Sequence, residues 1–304
     1  MTPADHLSRR ELLRTAALGA AALMLPHKLV ACKRSDPDLD RLNRWVETLR
    51  GEGLGKPGVA LGRAAVRVGE LAAGTPYVPY TLEEYLRKGS SPLQEPLTLS
   101  LTHFDCVTLV ESCLAVARLA GGREAPSWKL FGSEIERMRY RGGERRGYAS
   151  RLHYFSEWIS DGERRGLIRE IGSELKGAED RRPLRFMTQH RQSYPTLADD
   201  AVFREIGAIE RSLDGRPRRV VPVKCLPAVV DRIDHGDVLA FATEISGLDV
   251  SHAAFAYRDR KRVLRVLHAP LSGGVVEITR STLPEYVAAI RRCTGILVAR
   301  PFFG

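Results

Sequence analysis

Cys106 is the residue best placed to act as a nucleophile, because it lies where a polar stretch meets an apolar, helix-spaced run. The segment LTHFDCVTLVESCLAVARLA occupies residues 101–120. Polar side chains from Thr102 to Asp105 can cap a helix from Val107 to about Leu119, which puts the thiol in its first turn. The partial positive charge and free N–H groups at a helix start can lower a thiol pKa and hold an oxyanion. The pattern therefore makes Cys106 a candidate nucleophile that still needs partner residues.

A thiol nucleophile needs a base, and two of the eight histidines lie in a pattern that could supply one. His252 opens the strand-like run SHAAFAYR and His268 closes the run RVLRVLH, with turn-like residues 258–261 between them. Antiparallel pairing of these runs would place both rings on one side of a sheet. A histidine satisfied within the core is the alternative for each ring taken alone.

The first 32 residues are typical of an export leader. Residues 8–14, SRRELLR, match a twin-arginine motif, and the apolar stretch 15–25 is too short to span a bilayer. Residues 29–32, LVAC, resemble a lipobox, although residues 26–28 interrupt the apolar run before it. We expect acylation of Cys32 and a periplasmic protein anchored to a membrane through lipid; ordinary cleavage nearby or an uncleaved anchor is the alternative.

Four cysteines follow Cys32, and in an oxidising compartment an even number invites two disulfides. Cys106 and Cys113 cannot pair with each other, because seven residues of helix separate their Cα atoms by about 10 Å. Cys113 repeats the spacing of the apolar helix face and is most simply a small buried hydrophobe. Cys225 and Cys293 could be bridged or free.

Charge and motif content limit the classes of partner. Loss of residues 1–31 removes four basic and two acidic side chains, so the net charge falls from +10 to +8. A basic exported protein suits an anionic polymer or membrane surface, and no aromatic-basic motif favours nucleic acid. The histidines lack zinc-site spacing, so we expect no metal and no cofactor. Residues 53–58 fit G-x-G-x-x-G but follow a helix-like stretch, which favours a loop.

The surrounding elements predict an α+β fold that packs the cysteine helix on a small antiparallel sheet. Helical spacing covers residues 38–50, a second helix is predicted in AAVRVGELAAGTPYV, and a third from 200 to 213. Short strands alternate with turns from Val238 to Phe302. We expect an N-terminal helix and linker over 33–62 and one domain over 63–304, with an insertion at about 121–230.

Several ordered motifs carry a family resemblance that runs from about Ala64 to Phe302. FDCVTLVE, RLHYFSEW, VPVKCLPAVVDRIDHGDVLAFATEISGLDVSHAAFAYR and LHAPLSGGV resemble motifs of the N-acetylmuramoyl-L-alanine amidase-like branch of the NlpC-type papain-like cell-wall hydrolases. The resemblance implies a papain-like core with Cys106 as nucleophile, His252 as general base and His268 as the residue that orients it. Asp105 and Asp237 are expected to be structural.

The resemblance also implies a substrate. The bond cleaved would be the amide between N-acetylmuramic acid, in some members its 1,6-anhydro form, and L-alanine in peptidoglycan fragments. Four residues are expected to line the substrate cleft: Tyr77, His153, Tyr154 and Ser251. Tyr154 and Trp158 are spaced i, i+4 and could form an aromatic platform for a sugar, or could pack in the core. A cell-wall endopeptidase and a non-catalytic wall-binding lipoprotein are the alternative functions.

Overall fold

The computed structural model of the protein describes residues 36–91, 94–271 and 274–303, so the predicted leader and Cys32 lie outside the described residues. From Asp36 onward the chain forms one compact unit. Its α-helices are α1 (Pro37–Gly51), α2 (Leu61–Leu71), α3 (Glu84–Arg87), α4 (Cys106–Gly121), α5 (Trp128–Arg139), α6 (Phe155–Arg164), α7 (Phe186–Gln189), α8 (Asp200–Ser212) and α9 (Leu283–Ala289). Its strands are β1 (Ile168–Glu170), β2 (Ala178–Asp180), β3 (Arg218–Pro222), β4 (Val238–Thr243), β5 (Val250–Arg258), β6 (Leu264–His268), β7 (Glu277–Ile278) and β8 (Cys293–Pro301).

The helices predicted from apolar spacing are confirmed. α1 begins at Pro37 behind the N-cap Asp36, whose side chain accepts the N–H of Asp38 at 3.1 Å. Its apolar positions Leu42 and Val46 are fully buried. The other two predicted helices are α2 and α8. Short 3₁₀ turns complete the helical segments: Thr81–Glu83, Arg141–Gly143, Tyr148–Ser150, Arg191–Ser193, Pro195–Ala198, Val223–Ala228 and Val230–Arg232.

The predicted antiparallel sheet is confirmed, but it is larger than expected. Its order is β2-β3-β8-β4-β5-β6-β7, and β1 also pairs with β8. Every pair is antiparallel. Three of the eight strands, β1, β2 and β3, come from the segment 121–230. The long strand β8 pairs along one edge with both β1 and β3, and β2 pairs with β3. The segment predicted as an insertion therefore extends the sheet.

Both faces of the sheet are covered, as alternation along β4 shows. Val238, Ala240 and Ala242 face the core formed with α1, α2 and α4–α6. Leu239 and Phe241 face a second core, formed with α9 and the turns around residues 223–233. A third cluster packs α7 and α8 around Tyr148 and Tyr154. The sheet thus lies between α4 and α9, and the residues described below come from α4, from α9 and from the sheet between them.

Close packing fixes α2, a neighbour of α4, against the start of β4. Gly236 has φ +95°, and a Cβ there would lie 2.1 Å from the backbone carbon of Gly62 in α2. Only glycine allows both the left-handed backbone and this approach. Among the described residues, no helix has the length and apolar character needed to cross a membrane.

Candidate active site

Cys106 is the first residue of α4, so the predicted position in the first turn is confirmed. Asp105 is the N-cap: its Oδ1 accepts the N–H of Thr108 at 2.7 Å, and Thr108 Oγ1 accepts the N–H of Asp105 at 2.8 Å. This reciprocal capping box fixes the backbone on which the thiol stands. The predicted structural role of Asp105 is confirmed.

The sulfur of Cys106 lies against the edge of β5. The backbone N–H groups of Ala253, Cys106 and Val107 lie close enough to the sulfur to favour its thiolate form. Ala256 exchanges backbone hydrogen bonds with Gly236 and Asp237 on the β4 side, so strand alternation directs the N–H of Ala253 toward the β6 side. The β5–β6 register ends with Phe255 opposite Leu267, and β6 stops at His268. The thiol therefore occupies the place beside Ala253 that a longer β6 would take.

The resting thiol is neutral, contrary to the prediction of a lowered pKa. Burial, and then the charge of Asp105, raise the pKa of Cys106 from 9.0 to about 12, and the three N–H donors only partly oppose them. The sequence shows the helix start but not the β-sheet and side chains that enclose the sulfur. The free site therefore holds a protonated thiol, and the nearby N–H groups are already placed to stabilise the thiolate when it forms.

His252 and His268 form the predicted pair on one face of the sheet. Nε2 of His252 lies 2.8 Å from Nδ1 of His268, with the rings edge to face at 72°. The His252 ring also stacks on Phe241, its neighbour on β4, with centroids 5.5 Å apart. Burial, and then His268, lower the pKa of His252 to about 3; burial lowers that of His268 to about 4. Both rings are neutral near pH 7.

His252 uses its Nε2 in the hydrogen bond to His268, so its other ring nitrogen, Nδ1, lies outside that bond. His252 directly precedes Ala253, whose N–H lies near the sulfur of Cys106. A neutral imidazole with its proton on Nε2 can accept a proton at Nδ1, and in that tautomer His252 donates its Nε2–H to Nδ1 of His268. The arrangement contains the residue types from which a nucleophile, a base and a group that orients the base can be built.

Two residues that the sequence reasoning missed complete the surroundings of His268. Tyr286 of α9 places its hydroxyl 3.2 Å from His268 Nδ1, and burial raises the pKa of Tyr286 to about 12. Glu277 of β7 faces His268 across the β6–β7 register, with Oε1 3.7 Å from Nε2. Neither residue has a spacing in sequence that connects it with Cys106 or His252, so only the folded chain reveals them.

Two of the four expected cleft residues lie beside this site. Tyr77 pairs in a β-bridge with Phe104, close enough to Cys106 for the charge of the thiolate to raise its pKa, although burial is the larger cause. Ser251 is exposed on β5, directly before His252. Both are therefore in reach of a molecule bound at the thiol.

The other two expected cleft residues have their polar side-chain atoms bonded to groups of the protein other than the thiol. Tyr154 is 2 % exposed and donates its hydroxyl to Glu210 at 2.6 Å within the third cluster. His153 pairs through Nε2 with the backbone oxygen of Tyr148 at 2.9 Å. Trp158 is 4 % exposed. The aromatic platform is therefore wrong, and core packing, the alternative for this i, i+4 pair, is what the chain adopts.

The other cysteines in the described part of the chain are unbridged, and the buried Asp237 is paired with an arginine. Cys113, Cys225 and Cys293 are free thiols, and Cys113 is buried as predicted. Asp237 is buried and paired with Arg300 at 2.8 Å, so its predicted structural role is confirmed. Within the described parts of the chain, no group of three or more His, Cys, Asp or Glu side chains could hold a metal ion.

Comparisons with known proteins connect this geometry with a family. The profile of the AmiA-like, N-acetylmuramoyl-L-alanine amidase-like family matches residues 67–296, more than half of the chain. Two crystal structures of an N-acetylmuramoyl-L-alanine amidase from Bacteroides uniformis are 30 % identical to it, with TM-scores of 0.73 and 0.71; they cover 80 % and 79 % of this chain and 99 % and 98 % of their own.

A protein from Legionella pneumophila, 18 % identical, shares the fold with a TM-score of 0.60 over 87 % of this chain and 95 % of its own. A search of the curated proteins gave no match. The family profile and the 30 % identical structures agree, and the profile spans the segment that carries the thiol and the two histidines. The chain belongs to the N-acetylmuramoyl-L-alanine amidase-like family of cell-wall hydrolases.

Proposed function

We propose that the protein is a cysteine-dependent amidase that cleaves the bond between N-acetylmuramic acid and L-alanine in peptidoglycan fragments. The observation that carries the proposal is the position of Cys106 at the start of α4, with its sulfur near the backbone N–H groups of Ala253, Cys106 and Val107. His252 directly precedes Ala253 in β5 and makes a 2.8 Å hydrogen bond to His268. This set has the order and the roles of a papain-like, NlpC-type site, and it needs no cofactor.

The reaction starts from a neutral pair, so the base must take the thiol proton as the substrate binds. Nδ1 of His252 accepts the proton while Sγ of Cys106 attacks the lactyl carbonyl carbon. Backbone N–H groups at the start of α4 stabilise the oxyanion of the tetrahedral intermediate. The protonated His252 then gives its proton to the alanine nitrogen, which leaves. Water, activated by His252, hydrolyses the thioester and releases the muramic acid.

Substrate contacts beyond the reacting atoms are assigned to residues on both sides of the thiol. Tyr77 and Ser251 flank Cys106 and His252 and would contact the muramic acid and the peptide stem. Val78, Tyr80 and Leu271 expose 38 %, 65 % and 71 % of their surface. Val78 follows Tyr77 and donates its N–H to the carbonyl of Phe104, which places it near the thiol. Exposed apolar groups there suit the face of a sugar ring.

We further propose that the mature protein is periplasmic and lipid-anchored through Cys32. The twin-arginine and lipobox patterns in the sequence support this localisation, and a net charge of +8 suits work beside an anionic wall polymer. Replacing Cys32 by alanine would release the protein from the membrane fraction. Continued attachment of that variant would contradict lipidation.

The decisive experiment is mass spectrometry of the products formed from defined muropeptides, with and without the 1,6-anhydro ring. The amidase releases the intact peptide beginning with L-alanine together with the free muramic sugar, and the two rates give the sugar preference. Cleavage between amino acids would instead identify an endopeptidase. Cys106→Ser should abolish turnover, whereas Cys225→Ser, a half-buried cysteine outside the site, should retain it. Turnover by Cys106→Ser would refute the cysteine mechanism.

A further inference from the structure

One ring nitrogen of His268 has no hydrogen-bond partner in the part of the chain that the structure describes. Nδ1 lies 2.8 Å from His252 Nε2 and 3.2 Å from the Tyr286 hydroxyl. Nε2 is buried without a partner, and the residue is only 1 % exposed. Buried polar groups are nearly always hydrogen-bonded, so an unpartnered nitrogen next to a reactive site needs an explanation.

The proton positions required by the proposed reaction determine what this nitrogen carries. His252 can accept the thiol proton at Nδ1 only if its own proton is on Nε2. That proton must then be donated to His268, so His268 Nδ1 has to be the acceptor. A neutral His268 with an acceptor at Nδ1 carries its proton on Nε2. The unpartnered nitrogen is therefore an N–H donor in the productive state.

Glu277 is the group that can favour this state. It stands opposite His268 in the β6–β7 register, and its Oε1 is 3.7 Å from Nε2. At that distance a carboxylate attracts an N–H and repels a bare lone pair. The Tyr286 hydroxyl, which can donate or accept, does not distinguish the two tautomers. His252 from β5 and Tyr286 from α9 are the other titratable groups in contact with the His268 ring.

We propose that Glu277 is a positioning residue that holds His268 in its Nε2–H tautomer and thereby directs the lone pair of His252 toward Cys106. The inference rests on the proposed function, because it extends the relay Cys106–His252–His268 by one member. Glu277 acts a second time when His252 becomes an imidazolium, since its negative charge stabilises positive charge shared by the two rings. Its side chain is 47 % exposed, so substrate that covers it would strengthen the interaction.

The kinetic test compares Glu277→Gln, Glu277→Asp and Glu179→Gln. Glutamine keeps the shape and removes the charge, so kcat should fall about 10- to 100-fold, short of the roughly 10⁴-fold loss caused by a wrongly protonated base. KM should change less than about threefold, because Glu277 acts through His268 and not on substrate. The acid limb of the pH–rate profile should move to lower pH, since a protonated histidine loses a stabilising charge. Aspartate should restore part of kcat.

Glu179 is the matched control, because it is an exposed glutamate on β2, at the opposite end of the sheet from β7. Glu179→Gln should leave kcat and the pH profile unchanged. A Glu277→Gln variant with wild-type kcat and an unmoved acid limb would overturn the proposal. An equal loss in Glu179→Gln would also overturn it, because the effect would then be a general one on the sheet.

A spectroscopic test separates this inference from the amidase proposal. In the ¹⁵N-histidine-labelled protein, His268 should be the Nε2–H tautomer, and Glu277→Gln should populate the Nδ1–H form. An unchanged tautomer in the variant would refute the role of Glu277. A wild-type protein that cleaves no muropeptide would refute the proposed function. The tautomer measurement would still decide whether Glu277 controls the tautomer of His268.

Discussion

The reactivity of the Cys106 thiol is expected to rise steeply with pH, because the free site holds a neutral thiol. A pKa of about 12 in place of 9.0 lowers the thiolate population at pH 7 about a thousandfold, to about one molecule in 10⁵. Alkylation of Cys106 by iodoacetamide should therefore be about a thousandfold slower at pH 7 than that of an unperturbed thiol. The rate should increase about tenfold per pH unit up to pH 10.

Peptide-level mass spectrometry measures this rate at each cysteine, and the half-buried Cys225 provides an internal reference for access and reagent. His252→Ala should leave the alkylation profile of Cys106 nearly unchanged, since a base with a pKa of about 3 forms no resting ion pair with the thiol. Fast alkylation that is independent of pH between 5 and 8 would mean a preformed thiolate–imidazolium pair. That result would refute the neutral-pair mechanism.

The other predictions concern the base and two buried residues. His252→Ala should lower kcat about 10³- to 10⁴-fold and His268→Ala about 10- to 100-fold, with exposed His190→Ala as control; equal or reversed losses on muropeptides would mean that the base and the orienting residue are exchanged. Asp237→Ala should lower the free energy of unfolding in urea by about 3 kcal/mol, because it removes the acceptor for Arg300 and for the N–H of Asp234; an unchanged unfolding midpoint would contradict a structural ion pair. Tyr154→Phe should lower the free energy of unfolding by about 1.5 to 3 kcal/mol with KM unchanged, because buried Glu210 loses the hydroxyl donor of Tyr154. A raised KM at wild-type stability would instead indicate that Tyr154 lines the substrate cleft.

Local patterns in the sequence predicted the parts of the site that local structure determines. The polar residues before an apolar helix fixed the position of Cys106, and two strand-like runs around a short turn predicted that His252 and His268 would meet. Both features depend on residues within one element or one hairpin, where periodicity is a direct physical consequence of backbone geometry.

Features that depend on distant elements were not predictable in the same way. The N–H of Ala253 can face the thiol because β6 stops at His268, and Glu277 and Tyr286 reach His268 from elements that follow it in the chain. The strands β1 and β2 have three residues each, and each pairs with a strand far along the chain, so no periodic signal marks them. Tyr154 is a further example. Its spacing predicts which face of a helix it shares, but not whether that face contacts solvent or the core.

The position of the Cys106 thiol beside Ala253 determines the stage of folding at which the protein can become active. Cys106 and Ala253 lie far apart in the chain, and the donor of Ala253 becomes available only after β5 has joined the sheet and β6 has ended at His268. Pro270 follows two residues later and, lacking an N–H, cannot donate to a continued ladder. Long-range contacts of this kind form late in folding. A nascent or partly unfolded chain therefore carries an ordinary thiol with no base beside it, and hydrolytic competence reports the completion of folding.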